Sequence, residues 1–516
     1  MYCRQCFQPA GVLRLSGPGQ VSLEMISFSF IPLLGNFAIL FIKEKDIPSF
    51  LTFPQVLYVE LSRPIYENAL TGIDASCFPD YNIVTGRNVN ATTLTGKGTA
   101  IAVLDSGVDY RHPDFRNVDG STRILAYWDQ SLPFASFNKE NTNSNSSNSD
   151  NFQYISTTNS QNNYIAADNR TNTRRNNVSK HSSAIDNPYI FSEEDLNRLL
   201  MPKSSSVPSD SSTFSVTAPI TELLSPSEDV SGHGTHIAGI CSGNGRASNG
   251  NSQGVAPESS LIVVKLKNET ASVYTDYANL MMAVDFAVRF ANSRSLPLSI
   301  NISYGSNDGS HTGSSLLELF MEQVSLYGKN VICAATGNEG LTRRHASLNT
   351  ISNQNIYDKS IDFTIAPGER SLYLEIWQTF ADDFFYELFA PSGLESFVFP
   401  AVPGIYAYMI ADTAIYLTIN NPTPYQPFRQ YFLSFSSNTT FITSGTWALH
   451  IESTPTGKIV DGRLQFWLPS KEATNSATGF LVPSSDMTFT IPSTASSVIS
   501  VSGYDSSLDV FAPFSG

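Results

Sequence analysis

Residues 229–239 read Asp-Val-Ser-Gly-His-Gly-Thr-His-Ile-Ala-Gly, and no other stretch constrains the fold of this chain as much. His233 is bracketed by Gly232 and Gly234, so main chain can approach it closely on either side. Thr235, Ala238 and Gly239 are small, and Ile237 and Ile240 make an apolar face. The pattern predicts the first turns of a helix packed tightly on a sheet, with His233 exposed at its start. His236, three positions on, reads as a buried helix residue. A lone histidine at a helix start is more often structural than catalytic, so His233 gains weight only from two other segments.

The first lies upstream. Residues 99–104, Thr-Ala-Ile-Ala-Val-Leu, form a continuous apolar run of strand length, as a buried parallel strand requires. The run ends in Asp105, and the carboxyl ends of strands are where open α/β sheets place ligand chemistry. Asp105 also reads as a capping residue that starts a turn. The second segment lies downstream. Residues 331–335, Val-Ile-Cys-Ala-Ala, form another apolar strand that opens into Thr336-Gly337-Asn338. Asn338 is a side-chain amide donor on a glycine-flanked turn, and it reads equally as an ordinary turn asparagine.

Taken together and in this order, the three segments resemble the subtilisin-like serine proteases, peptidase family S8, whose catalytic residues run Asp, His, Ser along the chain. The resemblance implies that Asp105 orients the imidazole, that His233 is the general base and that Asn338 donates to the oxyanion. It implies that Ser303, Tyr304, Gly305, Ala335 and Gly337 bind substrate backbone and line the cleft. Residues 114–130, 189–200 and 297–311 narrow the likeness to the Csp group of clostridial proteases, known from spore germination, and it extends over nearly the whole chain from about residue 36. The implied activity is serine endopeptidase cleavage of protein substrates, with the chain's own prodomain as intramolecular inhibitor and no cofactor. An extracellular or spore-associated location goes with that group. Asp114 matches a calcium-binding position of some subtilisins, but residues 243–255 lack the rest of that pattern, so no metal is expected.

Residues 261–266 are a further apolar strand. Leu280, Met281, Val284, Ala287 and Val288 recur at helical spacing, residues 296–303 read as strand, and Leu316, Leu319, Phe320 and Val324 mark a second inward-facing helix. Strand and helix in alternation predict an α/β fold built on a doubly wound, mostly parallel sheet. From 345 to 490 the pattern changes to short alternating strands, with Leu372, Leu374 and Ile376 between Tyr373, Glu375 and Trp377. That predicts an inserted antiparallel β domain, a sandwich or jelly roll. Its expected role is to brace the protease core, with carbohydrate binding as the second choice.

The expected division is an unassigned 1–35, a small α/β prodomain-like unit and connector over 36–95, and the catalytic core over 96–344. The inserted domain follows over 345–490, and the core returns over 491–516. Within the core, about 131–228 is an Asn- and Ser-dense insertion that cannot bury enough apolar surface to order itself, apart from a short helix near 192–200. Apolar residues between 21 and 42 are interrupted by Glu24, Pro32 and Gly35, which favours strands over a membrane span. The 516 residues carry a formal charge of −15, which argues against nucleic-acid binding. Five cysteines without a framework pattern (Cys3, Cys6, Cys77, Cys241, Cys333) argue against a disulfide scaffold, and Cys241 and Cys333 read as small core hydrophobes. No Gly-Thr-Ser triplet occurs, and Ser515 stands ahead of the place where the family's nucleophile motif falls. The expectation is that these residues do not complete the triad: either they belong to a longer reading frame, or the product is a pseudoprotease acting as a binding or signalling protein in germination.

Overall fold

The fold is described from a computed structural model. It describes residues 10–15, 28–67, 94–132, 189–201, 225–267, 274–349, 358–437, 440–453, 459–505 and 508–516. The Asn- and Ser-dense parts of the insertion, most of the connector and the three cysteines Cys3, Cys6 and Cys77 lie outside these residues.

The N-terminal unit is a four-stranded antiparallel sheet of β1 (Ala10–Leu15), β2 (Phe28–Pro32), β3 (Phe37–Ile42) and β4 (Val56–Leu61), in the order β2-β3-β1-β4, with a short helix α1 (Ile47–Phe50) before β4. β3 is apolar on both faces because both are covered. Ala38, Leu40 and Ile42 pack with Phe50 of α1, whereas Phe37 and Ile39 join the main core. The sheet therefore includes two strands from the first 35 residues, which the sequence leaves unassigned.

After β4 the chain forms β5 (Pro64–Glu67) and then enters the core. There follow β6 (Ala100–Asp105), β7 (Ile124–Asp129), β8 (Ile190–Ser192) and the helix α2 (Glu193–Leu200), which opens on a capping box between Ser192 and Asp195. Next come α3 (His233–Ser242), β9 (Ser260–Lys265), β10 (Tyr274–Asp276), α4 (Tyr277–Ser293), β11 (Leu298–Ile302), β12 (Tyr304–Gly305), α5 (Leu316–Ser325) and β13 (Asn330–Ala335). The main sheet runs strand Ile499–Val501, then β13-β11-β6-β9-β7-β8, parallel except for β8. In β6, Ala100, Ala102 and Leu104 face α4 and α5, while Val103 faces the side of α2 and α3. This is the α/β architecture that the strand–helix alternation predicts. Cys241 and Cys333 are free and half-buried, and burial pushes the Cys241 thiol up to about 11.

Residues 345–480 supply two antiparallel sheets packed face to face, one of six strands and one of five. Leu372, Leu374 and Ile376 point into the space between them. Of the alternate residues in the middle of the same strand, Glu375 and Trp377 are buried as well and Tyr373 is half-buried. Glu375 is fully buried against the core, where its Oε2 accepts from Gly309 N and from Trp377 Nε1. The His311 ring of the core stacks on Trp467 of the sandwich at 4.4 Å. The middle of a strand that alternates apolar and polar by sequence is thus buried on both faces. Among the described residues no helix is long and apolar enough to cross a membrane.

Candidate active site

Three adjacent parallel strands set the site. β6, β11 and β13 are neighbours in register, so the residues that follow them emerge along one edge of the sheet. Asp105 ends β6, Ser303 follows β11, and Thr336, Gly337 and Asn338 follow β13. Ser303, Thr336 and Asn338 are buried, and Gly337 has φ 92°, a conformation that favours glycine. Ala335, at the end of β13, pairs with Val501.

α3 brings His233 to the same edge. Gly232 supplies the helix N-cap in the left-handed region at φ 73°, and the chain turns sharply into the helix. Asp229 fixes this turn. Its Oδ1 accepts from Gly232 N and Ser106 Oγ, and its Oδ2 accepts from Thr235 N and Oγ1. Ser106 Oγ accepts in turn from Gly234 N, so the loop after β6 and the first turn of α3 are one hydrogen-bonded unit. Nothing in the spacing of Asp229 marks it as more than a loop carboxylate; only the folded turn shows that it positions the histidine.

The result is a 2.7 Å contact between His233 Nδ1 and Asp105 Oδ1. Asp105 is fully buried, and the same Oδ1 accepts from Ser106 N. Burial works against the charged imidazole, but the Asp105 hydrogen bond and the carboxylates of Asp105, Glu67 and Asp229 outweigh it. They hold His233 above its ordinary value. His236, expected to be buried, is exposed: it falls on the side of α3 away from the sheet, where Ala238 packs.

Close approach depends on Gly234. A Cβ there would stand 2.0 Å from Gly107 O and 3.1 Å from the Asp105 side chain. Gly234→Ala is therefore expected to push α3 off the sheet and to destabilise the protein by roughly 1–3 kcal/mol, the usual range for overpacking. A urea unfolding midpoint unchanged from the parent would refute this.

A strand of the chain itself lies against this edge. β5 lies between β10 and β12 and is antiparallel to both, with Tyr304 opposite Glu67 and Gly305 opposite Tyr66. Ile65 is fully buried. Glu67 Oε1 reaches to 3.5 Å from His233 Nδ1. Burial pushes the Glu67 carboxyl up; His233 opposes that, while Asp105 and Asp229 add to it. Sequence reasoning gives Glu67 no role, because four residues in a connector carry no periodic signal.

Asp114 Oδ1 accepts from Ala247 N at 2.7 Å, and His112 Nδ1 accepts from Asp114 N. Among the described residues no group of three or more His, Cys, Asp or Glu is arranged to hold a metal.

Residues 96–362 match the subtilase family, peptidase S8. A solved structure described as the CspB protease of Clostridium perfringens is 26% identical with a TM-score of 0.62, over 83% of this chain and 73% of that one. Another, described as an S41 psychrophilic protease, is 21% identical over 49% of this chain and 50% of that one, and its TM-score of 0.26 carries no argument. A match over more than half the chain, on a parallel sheet that sets Asp105 against His233, makes this chain a member of the subtilase family of serine proteases, similar to the CspB protease.

Proposed function

We propose that the chain provides the aspartate, the histidine and the oxyanion donor of a subtilisin-type endopeptidase that hydrolyses peptide bonds in proteins. The observation that carries this reading is the 2.7 Å contact of Asp105 with His233 at the strand-end edge. In the reaction, a serine hydroxyl attacks the scissile carbonyl and His233 Nε2 takes its proton. The same imidazolium later returns that proton to the leaving amine. Asp105 holds Nδ1 protonated, which fixes the tautomer, and stabilises the imidazolium. Asn338 donates to the oxyanion as the carbonyl becomes tetrahedral. Substrate adds as an antiparallel strand along Ser303, Tyr304 and Gly305, with Ala335 and Gly337 lining the other side.

The same pairing supports an inhibitory role for the N-terminal unit. β5 lies on β12 as a substrate strand would, and the four-stranded sheet that precedes it in the chain rests on α5 through Phe37 and Phe320. The 345–480 sandwich, wedged against residues 307–311, is proposed to brace the core.

The nucleophile is the remaining member. Ser515 is buried, its hydroxyl donates no bond to His233, and it binds Gly503 N and the Thr336 hydroxyl instead. Among the described residues no serine hydroxyl is bonded to the His233 ring. Asn338→Ala, in a polypeptide that hydrolyses peptides, is expected to lower kcat by roughly 10²–10³ with little change in KM. An unchanged kcat removes Asn338 from the mechanism.

A further inference from the structure

Glu67 is the feature that the protease mechanism does not use. A substrate strand benefits from a neutral His233, because the base must be free to accept a proton. Glu67 presents the opposite: a carboxylate, almost wholly buried, 3.5 Å from His233 Nδ1 and on the same histidine as Asp105. The surroundings are acidic. Asp105 faces the pair from β6 and Asp229 from the loop before α3, both contributing charge to His233 and Glu67. Tyr304 faces Glu67 from β12. On the β10 side Asp276 is opposite Pro64 and caps α4 through Asn279 N. Lys265, opposite Asp105 on β9, spends its Nζ on the Glu228 carbonyl. Three carboxylates around one imidazole are compatible with burial only if a proton is held among them.

We propose that Glu67 is a proton-linked inhibitory residue: docking of β5 brings its carboxylate to His233 Nδ1 beside Asp105, the imidazole takes up a proton on Nε2, and the resulting imidazolium cannot accept one from a nucleophile. The inhibitory meaning rests on reading His233 as the general base; the proton linkage does not. Occlusion of the cleft by backbone pairing is pH-independent, and Glu67 adds a second, titratable layer to it.

The sign follows from the two groups. Both hold a proton more tightly in this arrangement than their ordinary values allow. Docking is therefore strongest at low pH and weakens as pH rises from the ordinary imidazole value of 6.5 through the raised midpoint of docked His233. One proton taken up changes the docking equilibrium by up to about tenfold per pH unit in that window.

The test uses the full chain labelled at histidine ¹³Cε1, with the His233 resonance identified by its loss in His233→Asn. In Glu67→Gln, His233 is expected to lose its proton at a lower pH than in the parent. Amide protection factors of residues 65–67, corrected for intrinsic exchange, are expected to fall with rising pH in the parent and to be flatter in Glu67→Gln. If the glutamine variant does not fold, Glu67→Asp keeps the charge but withdraws it by one methylene, and its His233 midpoint should lie below the parent's. Superimposable His233 titrations, or equal pH slopes of protection, overturn the proposal. Failure of serine-directed labelling in a polypeptide carrying the nucleophile motif counts against the protease reading alone and leaves the titration result standing.

Discussion

A serine-directed fluorophosphonate is expected to leave the polypeptide of residues 1–516 unlabelled. A polypeptide that also carries the Gly-Thr-Ser motif of the family after these residues is expected to label, and His233→Ala is expected to abolish that labelling. The reason is that a serine hydroxyl is a poor nucleophile until a base removes its proton as it attacks. Here His233 is held by Asp105, but no serine hydroxyl among the described residues meets its ring. Loss of the histidine alone costs about 10⁶ in kcat in a triad that acts as a unit, which places residual labelling far below detection. β5 lies on β12 with Glu67 beside His233, so the comparison is best made after the connector has been cut. Strong labelling of the 516-residue polypeptide would refute the placement of the nucleophile. No labelling of the longer polypeptide would count against the protease reading.

Arg63→Met is expected to destabilise the protein by roughly 3–5 kcal/mol at neutral pH, the cost of leaving a buried charge without its partner. Arg63 lies between β4 and β5 and is one-fifth exposed. Its Nη1 is 2.7 Å from Asp308 Oδ1 of the core and 4.0 Å from Glu375 Oε1 of the sandwich, and its Nε is 3.5 Å from Glu60 Oε1 of β4. Glu60 Oε2 also accepts from Leu316 N at the start of α5. One guanidinium thus joins the N-terminal sheet, the core and the sandwich. Its removal leaves three carboxylates together with no cation. Burial already pushes Glu60 and Glu375 up, and Arg63 is a main opposing influence on both. Without it they bind protons more tightly still, so the folded variant gains from acid relative to the parent. The stability loss should be smaller at pH 5 than at pH 8. Urea unfolding of both proteins at the two pH values checks this. An equal loss at both would mean that lost packing of the Arg63 stem, rather than unpaired charge, sets the effect.

Local sequence determines much of this protein. The run that ends in Asp105 is a buried strand because every residue from Ala100 to Leu104 is apolar and compact, and a parallel strand covered by helices requires that. The helix that opens at His233 is readable from Gly232 and Gly234, since only glycine takes the left-handed cap at one and avoids the Gly107 carbonyl at the other. α5 is readable from its inward apolar spacing, and Ser315 with Glu318 closes its capping box. The change to period-two alternation after 345 marks the sandwich. These signals are local: each depends on residues within a turn or a strand of one another.

Tertiary structure alone decided the rest. Nothing within residues 64–67 states that they become the middle strand between Tyr274–Asp276 and Tyr304–Gly305, because both partners lie more than two hundred positions away. Strand pairing is a long-range choice, and a four-residue segment carries too few side chains to encode it. The same holds for Ala10–Leu15, which inserts between β3 and β4. Asp229, Glu375 and Arg63 look like ordinary charged residues by sequence. Their roles come from burial, which makes each charge costly until a specific distant partner meets it. Glu67 follows the same rule, since its carboxylate matters only because backbone pairing carries it to His233.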